Sequence, residues 1–529
     1  MAAGNFHEKS VREEGTATAT AHDATGTLDG DLDRLSWLPD DVLLDILGRL
    51  AADGDVRTVA GTSTLSRRWR HLPWPLVPAV RLDVGDFLPR SDEWTRTRRR
   101  RRRLAEQHDA TAGLTDALAR FLAAPRSERV VEWLSLKFIL TRRDHARRIG
   151  DLVAAAAGAV RDVRLEVVTE LDRLPAAADD KERTMLGHGE RFGQFVRDCP
   201  GALRRVTELT VHAHWFHDPA VLNDVVRGCG ALEHLAVVRC GFVEDDGKLH
   251  YDYAAPLVLA IDAPESRLRT LVCDGCRVDS VKLVQAPALA EFYYNCTSES
   301  RSWSPPFSLG HTPSLKSLDL QCRQFEYQHD EWRLSELLVN GHQIETLIFR
   351  FDSGKIWLQP ETPKELGDAL GRLKVLRLRN MPPKYDLSWT LSLLEAAPLL
   401  KTLEIHIFDH ICLEKLRKKF SDSATLAWQP SSDFTHRNLK EVSIHRAFNA
   451  FKDLQFARHV MELAVNLETL TLGVKSLECE DCRAAEPKFA DLARSRSRLR
   501  GNNEYVDAAV RKLKHGISTC AQITILLPD

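Results

Sequence analysis

From about residue 77 the chain repeats one short pattern, apolar-x-x-apolar-x-apolar, followed by a loop and a variable return. The clearest copies are Leu232-x-x-Leu235-x-Val237-x-x-Cys240, Leu268-x-x-Leu271-x-Cys273-x-x-Cys276, Leu315-x-x-Leu318-x-Leu320, Leu373-x-x-Leu376-x-Leu378 and Leu467-x-x-Leu470-x-Leu472. Further copies begin at Val206, Leu289, Ile344, Leu400 and Leu439, and weaker ones near Val77, Val131, Val160 and Cys520. Alternation inside each unit predicts a short strand whose last two apolar side chains enter one core. Returns such as Glu336–Leu338 after Trp332, and Leu391–Leu400, carry helical apolar spacing. From Val206 to Leu467 the copies start 21 to 39 residues apart. A unit of that size cannot bury its own apolar face and has to stack on its neighbours. The expected class is therefore α/β: a solenoid of parallel strands with irregular helical returns.

The segment ahead of the repeats has a different period. Leu43, Ile46, Leu47 and Leu50 recur at helical spacing behind Pro39, Asp40 and Asp41, which suit a helix start. Asp53-Gly54-Asp55 ends that helix. Val56, Val59, Ala60 and Ser63 form a second stripe, and Leu65, Trp69 and Leu72 a third, up to the breaks at Pro73, Pro75 and Pro78. Three helices in about forty residues bury little apolar surface. Such a module should lean on a partner.

These residues resemble the F-box. The match runs through Leu38-Pro39-Asp40-Asp41, Leu43, Ile46-Leu47, Leu50, Asp55-Val56 and Leu65-Ser66-Arg67-Arg68-Trp69-Arg70. The resemblance implies docking on a Skp-type adaptor, and through it on a cullin, by Leu38, Pro39, Leu43, Ile46, Leu47, Val56, Leu65 and Trp69. One departure is that Asp55 and Trp69 lie about three residues further apart than in the family. Three residues turn a helix face by about 300° unless a loop absorbs them. The period of the later units is that of leucine-rich repeats. Leu439-Lys440-Glu441-Val442-x-Ile444, Phe448, Val460-Met461, Ala464 and Leu467-Glu468-x-Leu470-x-Leu472 are similar to the FBD-type region of plant F-box proteins, itself a strand, a helix and a strand.

The chain so divides into a disordered tail (1–32), an F-box (33–76), a repeat solenoid (77–432) with an Arg-rich loop at 90–105, and FBD-like repeats (433–529). The resemblance implies a substrate-recognition subunit of a Skp–cullin–F-box ubiquitin ligase, non-catalytic itself, with an unknown protein target. The alternative is a repeat scaffold or small-molecule co-receptor that uses the adaptor without ubiquitin transfer.

Composition narrows the remaining classes. Lys+Arg 73 against Asp+Glu 75 argues against a bulk polyanion such as nucleic acid as partner. The apolar runs around Leu152–Val160 and Ala254–Ile261 are too short to span a membrane. The N-terminus has no apolar secretory core. Eleven cysteines without framework spacing fit a reducing compartment, hence nucleus or cytoplasm. The tail nearly lacks large apolar side chains, which is why order is not expected there. Arg96 and Arg98 to Arg103 read either as a nuclear import signal or as a solvated loop; no aromatics interleave as RNA stacking needs.

No metal site is expected. Cys273 and Cys276 fall on repeat positions, Cys479 and Cys482 lack a second pair, and His212, His214 and His217, at the end of a strand and beyond it, read as loop and core histidines. Walker, GxSxG, HExxH and dinucleotide fingerprints are absent from the sequence, and Asp409-His410 has no nucleophile elbow beside it.

The strand pattern also names a face. Positions between and just after the inward apolar side chains should point to the concave side. Down the stack they read Thr210/His212, Ala236/Val238, Val272/Asp274, Tyr293/Asn295, Asp319/Gln321, Ile348/Arg350, Arg377/Arg379, Glu404/His406 and Ser443/His445. At about 4.8 Å between strands, Arg350, Arg377, Arg379, His406 and His445 should cluster. Two readings stand: an anion site for an acidic target segment or a phosphate, or a hydrated surface with Glu404 neutralising one arginine. No cofactor is required, although some plant F-box repeat receptors hold an inositol phosphate on basic residues of this face.

Overall fold

A computed structural model describes residues 37–52, 79–88, 99–123, 131–156, 160–169, 178–243, 258–296, 305–322, 332–351, 356–382, 386–407, 428–446, 453–474 and 503–526. The strands begin with β1 (Ala79–Asp83), β2 (Val131–Phe138), β3 (Val160–Val167), β4 (Val206–His212), β5 (Trp215–Phe216), β6 (His234–Val238) and β7 (Gly241–Phe242). Next come β8 (Val258–Asp262), β9 (Thr270–Cys276), β10 (Ser280–Gln285), β11 (Glu291–Cys296), β12 (Phe307–His311) and β13 (Ser317–Cys322). The series ends with β14 (Thr346–Arg350), β15 (Val375–Met381), β16 (Thr402–Ile407), β17 (Glu441–Arg446), β18 (Thr469–Val474) and β19 (Gln522–Leu526).

One sheet takes fourteen of these strands in chain order, β1-β2-β3-β4-β6-β9-β11-β13-β14-β15-β16-β17-β18-β19. Neighbours pair in parallel along it, as in β14 on β15 and β16 on β17. The weak copies near Val131, Val160 and Cys520 are strands of this sheet like the strong ones. The FBD-like region supplies β17, the helix Leu454–Leu463 and β18, and so continues the same sheet.

Alternation decides which side chains are buried. Leu347 and Phe349, Leu376 and Leu378, Leu403 and Ile405 are all excluded from solvent and share one core with Leu366, Leu370, Leu391 and Leu394 of the returns. The helix Pro363–Leu370 starts as its sequence dictates. Pro363 takes the first turn, while Glu365 reciprocally bonds Thr362 in a capping box. In the middle of the solenoid the returns are strands instead: β8, β10 and β12 form a second parallel sheet.

A left-handed residue recurs at the strand ends. Ala213, Arg239, Gly275 and Asn380 have φ of 62, 52, 61 and 59°. This turn brings the next residue back to the core, where Cys240, Cys276 and Met381 are buried. Cys240 Sγ then donates to the Val211 carbonyl at 3.4 Å and Cys276 Sγ to that of Val237 at 3.1 Å, each in the preceding strand of the sheet. That is the structural content of the closing cysteine in the repeat. Burial raises the Cys240 thiol to about 12, and both thiols pack as small weak donors.

One expectation needs correction. The block 90–105 is not wholly a loop, because Arg99–Ala123 is one helix. Arginine is a good helix former, and Ala110, Leu114 and Leu118, spaced four apart, anchor that helix in the core. The N-terminal repeats have long helical returns, Arg143–Ala156 and Ala178–Asp198. The second crosses so close to β5 that a Cβ on Gly189 would stand 1.7 Å from the Trp215 carbonyl oxygen.

Candidate functional site

Two surfaces come into question, the N-terminal helix and the open face of the large sheet. The helix Asp40–Ala52 follows Pro39, whose carbonyl accepts from the Leu43 N–H at 3.1 Å. Leu43 and Leu47 are fully buried within the chain itself, whereas Ile46 and Leu38 are half-buried and Pro39 is exposed. Leu43 and Leu47 are therefore not the free contact surface that the apolar stripe suggested. A helix facing its own chain has to bury its largest aliphatics there first. Trp37 is 81% exposed and Val42 40%, so apolar surface is presented beside Leu38 and Pro39. Val56, Leu65 and Trp69 lie outside the described residues.

The open face is built by the strand positions that alternate with the core. Its register is the one read from the repeats: Thr210 pairs with Ala236, Ala236 with Val272, Val272 with Tyr293 and Tyr293 with Asp319. The row continues through Ile348, Arg377, Glu404, Ser443 and Thr471. Beside it run Val238, Asp274, Asn295, Gln321, Arg350 and Arg379. His406 pairs with His445 in the same way. All the residues expected to cluster are half-buried on this face.

The arginines come with carboxylates. Arg350 grips Asp319 with two parallel bonds, Nε at 2.8 Å and Nη2 at 2.7 Å, and stacks over the Tyr293 ring at 5.7 Å. Arg377 Nε donates to Glu404 at 2.9 Å, and Arg379 Nη2 stands 3.8 Å from the other oxygen of the same carboxylate. Three guanidinium groups thus face two carboxylates. Along the row, Tyr293 donates to Gln321 at 3.1 Å and Asn295 to Asp274 at 2.7 Å. Fixed bidentate geometry makes the Arg350 pair closed to outside anions, and among the described residues the shared Glu404 leaves one positive charge in surplus.

One detail departs from the expected rows. Pairing of β15 with β16 slips between Leu378 and Met381, at the left-handed Asn380. Arg379 is therefore not set opposite His406 in the ladder. A bulge of this kind re-aims the side chain beside it, and Arg379 shares Glu404 with Arg377. On this face Asp319 and Glu404 stand among the three arginines.

Other candidates are accounted for by packing. His214 is buried with its Nδ1 2.9 Å from the His212 carbonyl, and His217 stands 3.7 Å from Glu190. Among the described residues, no group of three or more His, Cys, Asp and Glu could hold a metal ion. Cys479, Cys482, Asp409 and His410 lie outside the described residues. A cavity of about 60 Å³ among the returns, lined by Leu334, Leu358, Trp389 and Trp428, has room for a few waters only. No described helix is long and apolar enough to cross a membrane.

Parallel strands in chain order, one per repeat, call for comparison with known repeat families. The family model of the At1g61320/AtMIF1 LRR domain matches residues 202–528. The chain belongs to this leucine-rich-repeat family. It is 28% identical over 207 residues to the putative F-box/FBD/LRR-repeat protein At3g49030 of Arabidopsis thaliana, covering 39% of this chain and 42% of that protein. A second likeness, 52% over 61 residues, is to the meiotic F-box protein MOF of Oryza sativa subsp. japonica. It covers 11% of this chain and 12% of that protein. The matched segments thus span less than half the length of these curated relatives. With them the chain groups as a plant F-box/leucine-rich-repeat protein, in line with its sequence motifs.

Proposed function

We propose that the chain is a substrate receptor of a Skp–cullin–F-box ubiquitin ligase, with no catalytic step of its own. The observation that carries this reading is the union on one chain of an F-box-like segment and a continuous open face of leucine-rich repeats. The first would hold the adaptor, the second a target protein. The likeness to proteins named for the same two parts supports it. Residues 33–76 would form the adaptor module and the sheet from β1 onward the target-binding body. A nuclear or cytoplasmic site of action fits eleven cysteines without framework spacing.

The adaptor contact would lie on Leu38, Pro39, Ile46, Val56, Leu65 and Trp69, with Leu43 and Leu47 shaping it from within. Co-purification with a Skp-type adaptor tests this. Trp69→Ala, or Leu38→Asp with Pro39→Ala, should weaken capture at least tenfold, the scale of an aromatic anchor at an interface. Leu47→Asp is a poor probe, since it would place a charge in the core. Adaptor binding that survives both variants would overturn the assignment. A target whose half-life is unchanged on losing the receptor would favour a non-degradative scaffold.

A further inference from the structure

The open face changes character along its length. Towards β6 and β9 its side chains are Val238 and Val272, half-buried and apolar, with the Tyr293 ring next to them on β11. Towards β15 they are Arg377 and Arg379, with one carboxylate between them. The strands between carry polar groups already engaged, Asn295 on Asp274 of β9, Tyr293 on Gln321 and Arg350 on Asp319. From β6 to β15 the sheet advances five strand spacings, or about 24 Å at about 4.8 Å each. An extended polypeptide covers that distance in about seven residues. A small molecule does not.

Charge supplies the polarity. Arg350 is saturated by its two bonds to Asp319, but Glu404 is divided between two guanidinium groups and balances only one of them. Among the described residues the surplus is a single positive charge, displayed in planar fork geometry suited to a carboxylate or phosphate group. At the apolar end the exposed Arg239 follows Val238 and lies beside Gly275, while Asp274 is bonded to Asn295. An acidic group is drawn to the other end by the charge that Glu404 leaves unbalanced on Arg377 and Arg379.

We propose that this face holds an extended polypeptide segment crossing the strands, with an apolar side chain seated on Val238 and Val272 and an acidic side chain, carboxylate or phosphorylated, on Arg377 and Arg379. The proposal rests on the receptor reading and specifies the target that such a receptor takes. Recognition is bipartite: the apolar seat fixes one end, and the arginine pair selects the sign of charge at the other. The stretch between them needs only to be extended and uncharged.

The test uses the full chain co-expressed with a Skp-type adaptor and a display library of random twelve-residue peptides. Selection on the wild-type protein should enrich an apolar residue paired with Asp or Glu five to eight positions away. Arg377→Glu with Arg379→Glu should reduce binding of a selected peptide at least tenfold and turn the preference towards Lys or Arg. The milder Arg377→Gln with Arg379→Gln should abolish the acidic preference while circular dichroism stays that of the wild type. Val272→Asp should lose the apolar preference alone. Selected peptides that bind the charge-reversed protein as well as the wild type would overturn the proposal, as would the absence of any shared pattern on folded protein. Saturable binding of inositol hexakisphosphate, lost on the same charge reversal and with no peptide selected, would also overturn it. Adaptor capture is measured on each preparation. Its loss in the wild type would strike the receptor reading, whereas its retention with no peptide preference strikes only the bipartite site.

Discussion

Arg446, the last residue of β17, and Asp453, just before the helix Leu454–Leu463, form a two-pronged ion pair with side chains 3% and 8% exposed. The pair ties the end of a strand to the start of its return, and the Asp453 carbonyl also accepts from the Ala457 N–H at 2.8 Å. A buried charge is tolerated only while its partner remains. Removing one member of such a pair costs about 3–5 kcal/mol, while replacing both by apolar side chains is often nearly neutral. Asp453→Ala should therefore lower the unfolding free energy by about 3–5 kcal/mol in urea titrations. Arg446→Met with Asp453→Leu should cost much less. Equal losses in the two variants would show that the helix, not the ion pair, holds this repeat together.

The return Ala178–Asp198 gives the fold a pH dependence. His188 and His214 meet edge to face at 5.8 Å between Phe192 and Phe216, both rings almost wholly buried. Burial lowers His214 to about 3, against the opposing pull of its bond to the His212 carbonyl. Burial, and then the charge of Arg191, push His188 well below the ordinary histidine range. Both are neutral when folded and titrate near 6.5 when unfolded. Their contribution is complete above about pH 6.5 and is lost as pH falls from there towards 3. Each histidine then removes up to about 1.4 kcal/mol per pH unit. Urea midpoints at pH 7.5, 6.5 and 5.5 should fall on the acid side, and His214→Gln should remove about half of that slope. A midpoint that does not change between pH 6.5 and 5.5 would contradict the buried neutral pair.

The spacing of apolar residues foretold the strands and their register, because each repeat writes its own two inward positions and the sheet stacks them in chain order. Thr210, Ala236, Val272, Tyr293, Asp319, Ile348, Arg377, Glu404 and Ser443 fall on one row both in the sequence pattern and in the ladder. What the pattern did not reveal is set by contacts between distant residues or by backbone angles without a residue signature. Arg239 and Ala213 adopt the left-handed conformation that Gly275 takes in the equivalent place, and neither residue type announces it. The strands β8, β10 and β12 stand where other units have helices and pair with one another as a second sheet, a pairing between returns that a single unit cannot show. His188 finds His214 only through the path of a helix. At the candidate site the cluster of arginines was legible, but its near-neutralisation was not. Asp319 and Glu404 were visible as row members, yet the turn at Asn380 breaks the pairing beside Arg379, which shares a carboxylate with Arg377.

That sharing leads to a gain-of-binding prediction. Glu404 is the one residue on the row that offsets both Arg377 and Arg379, and it is itself half-buried between them. Glu404→Gln keeps the side-chain shape and a hydrogen-bond acceptor but removes the charge, which raises the local surplus from one positive charge to two. A partly exposed charge interaction is worth about 0.2–1 kcal/mol. An acidic peptide selected on the wild type should therefore bind the variant about 1.5- to 5-fold more tightly at low salt. The advantage should shrink as ionic strength rises and the Debye length falls below about 8 Å. A peptide with Lys in place of the acidic residue should lose affinity by a similar factor. Asp319→Asn serves as the contrast. It frees Arg350 from a fixed bidentate pair that also steadies the Tyr293 ring, so it should disturb the middle of the face and not sharpen charge preference. Fluorescence anisotropy over a salt series, on the adaptor-bound chain, reads all three effects. Weaker binding of the acidic peptide to Glu404→Gln would mean that the carboxylate positions the arginines more than it competes with the ligand.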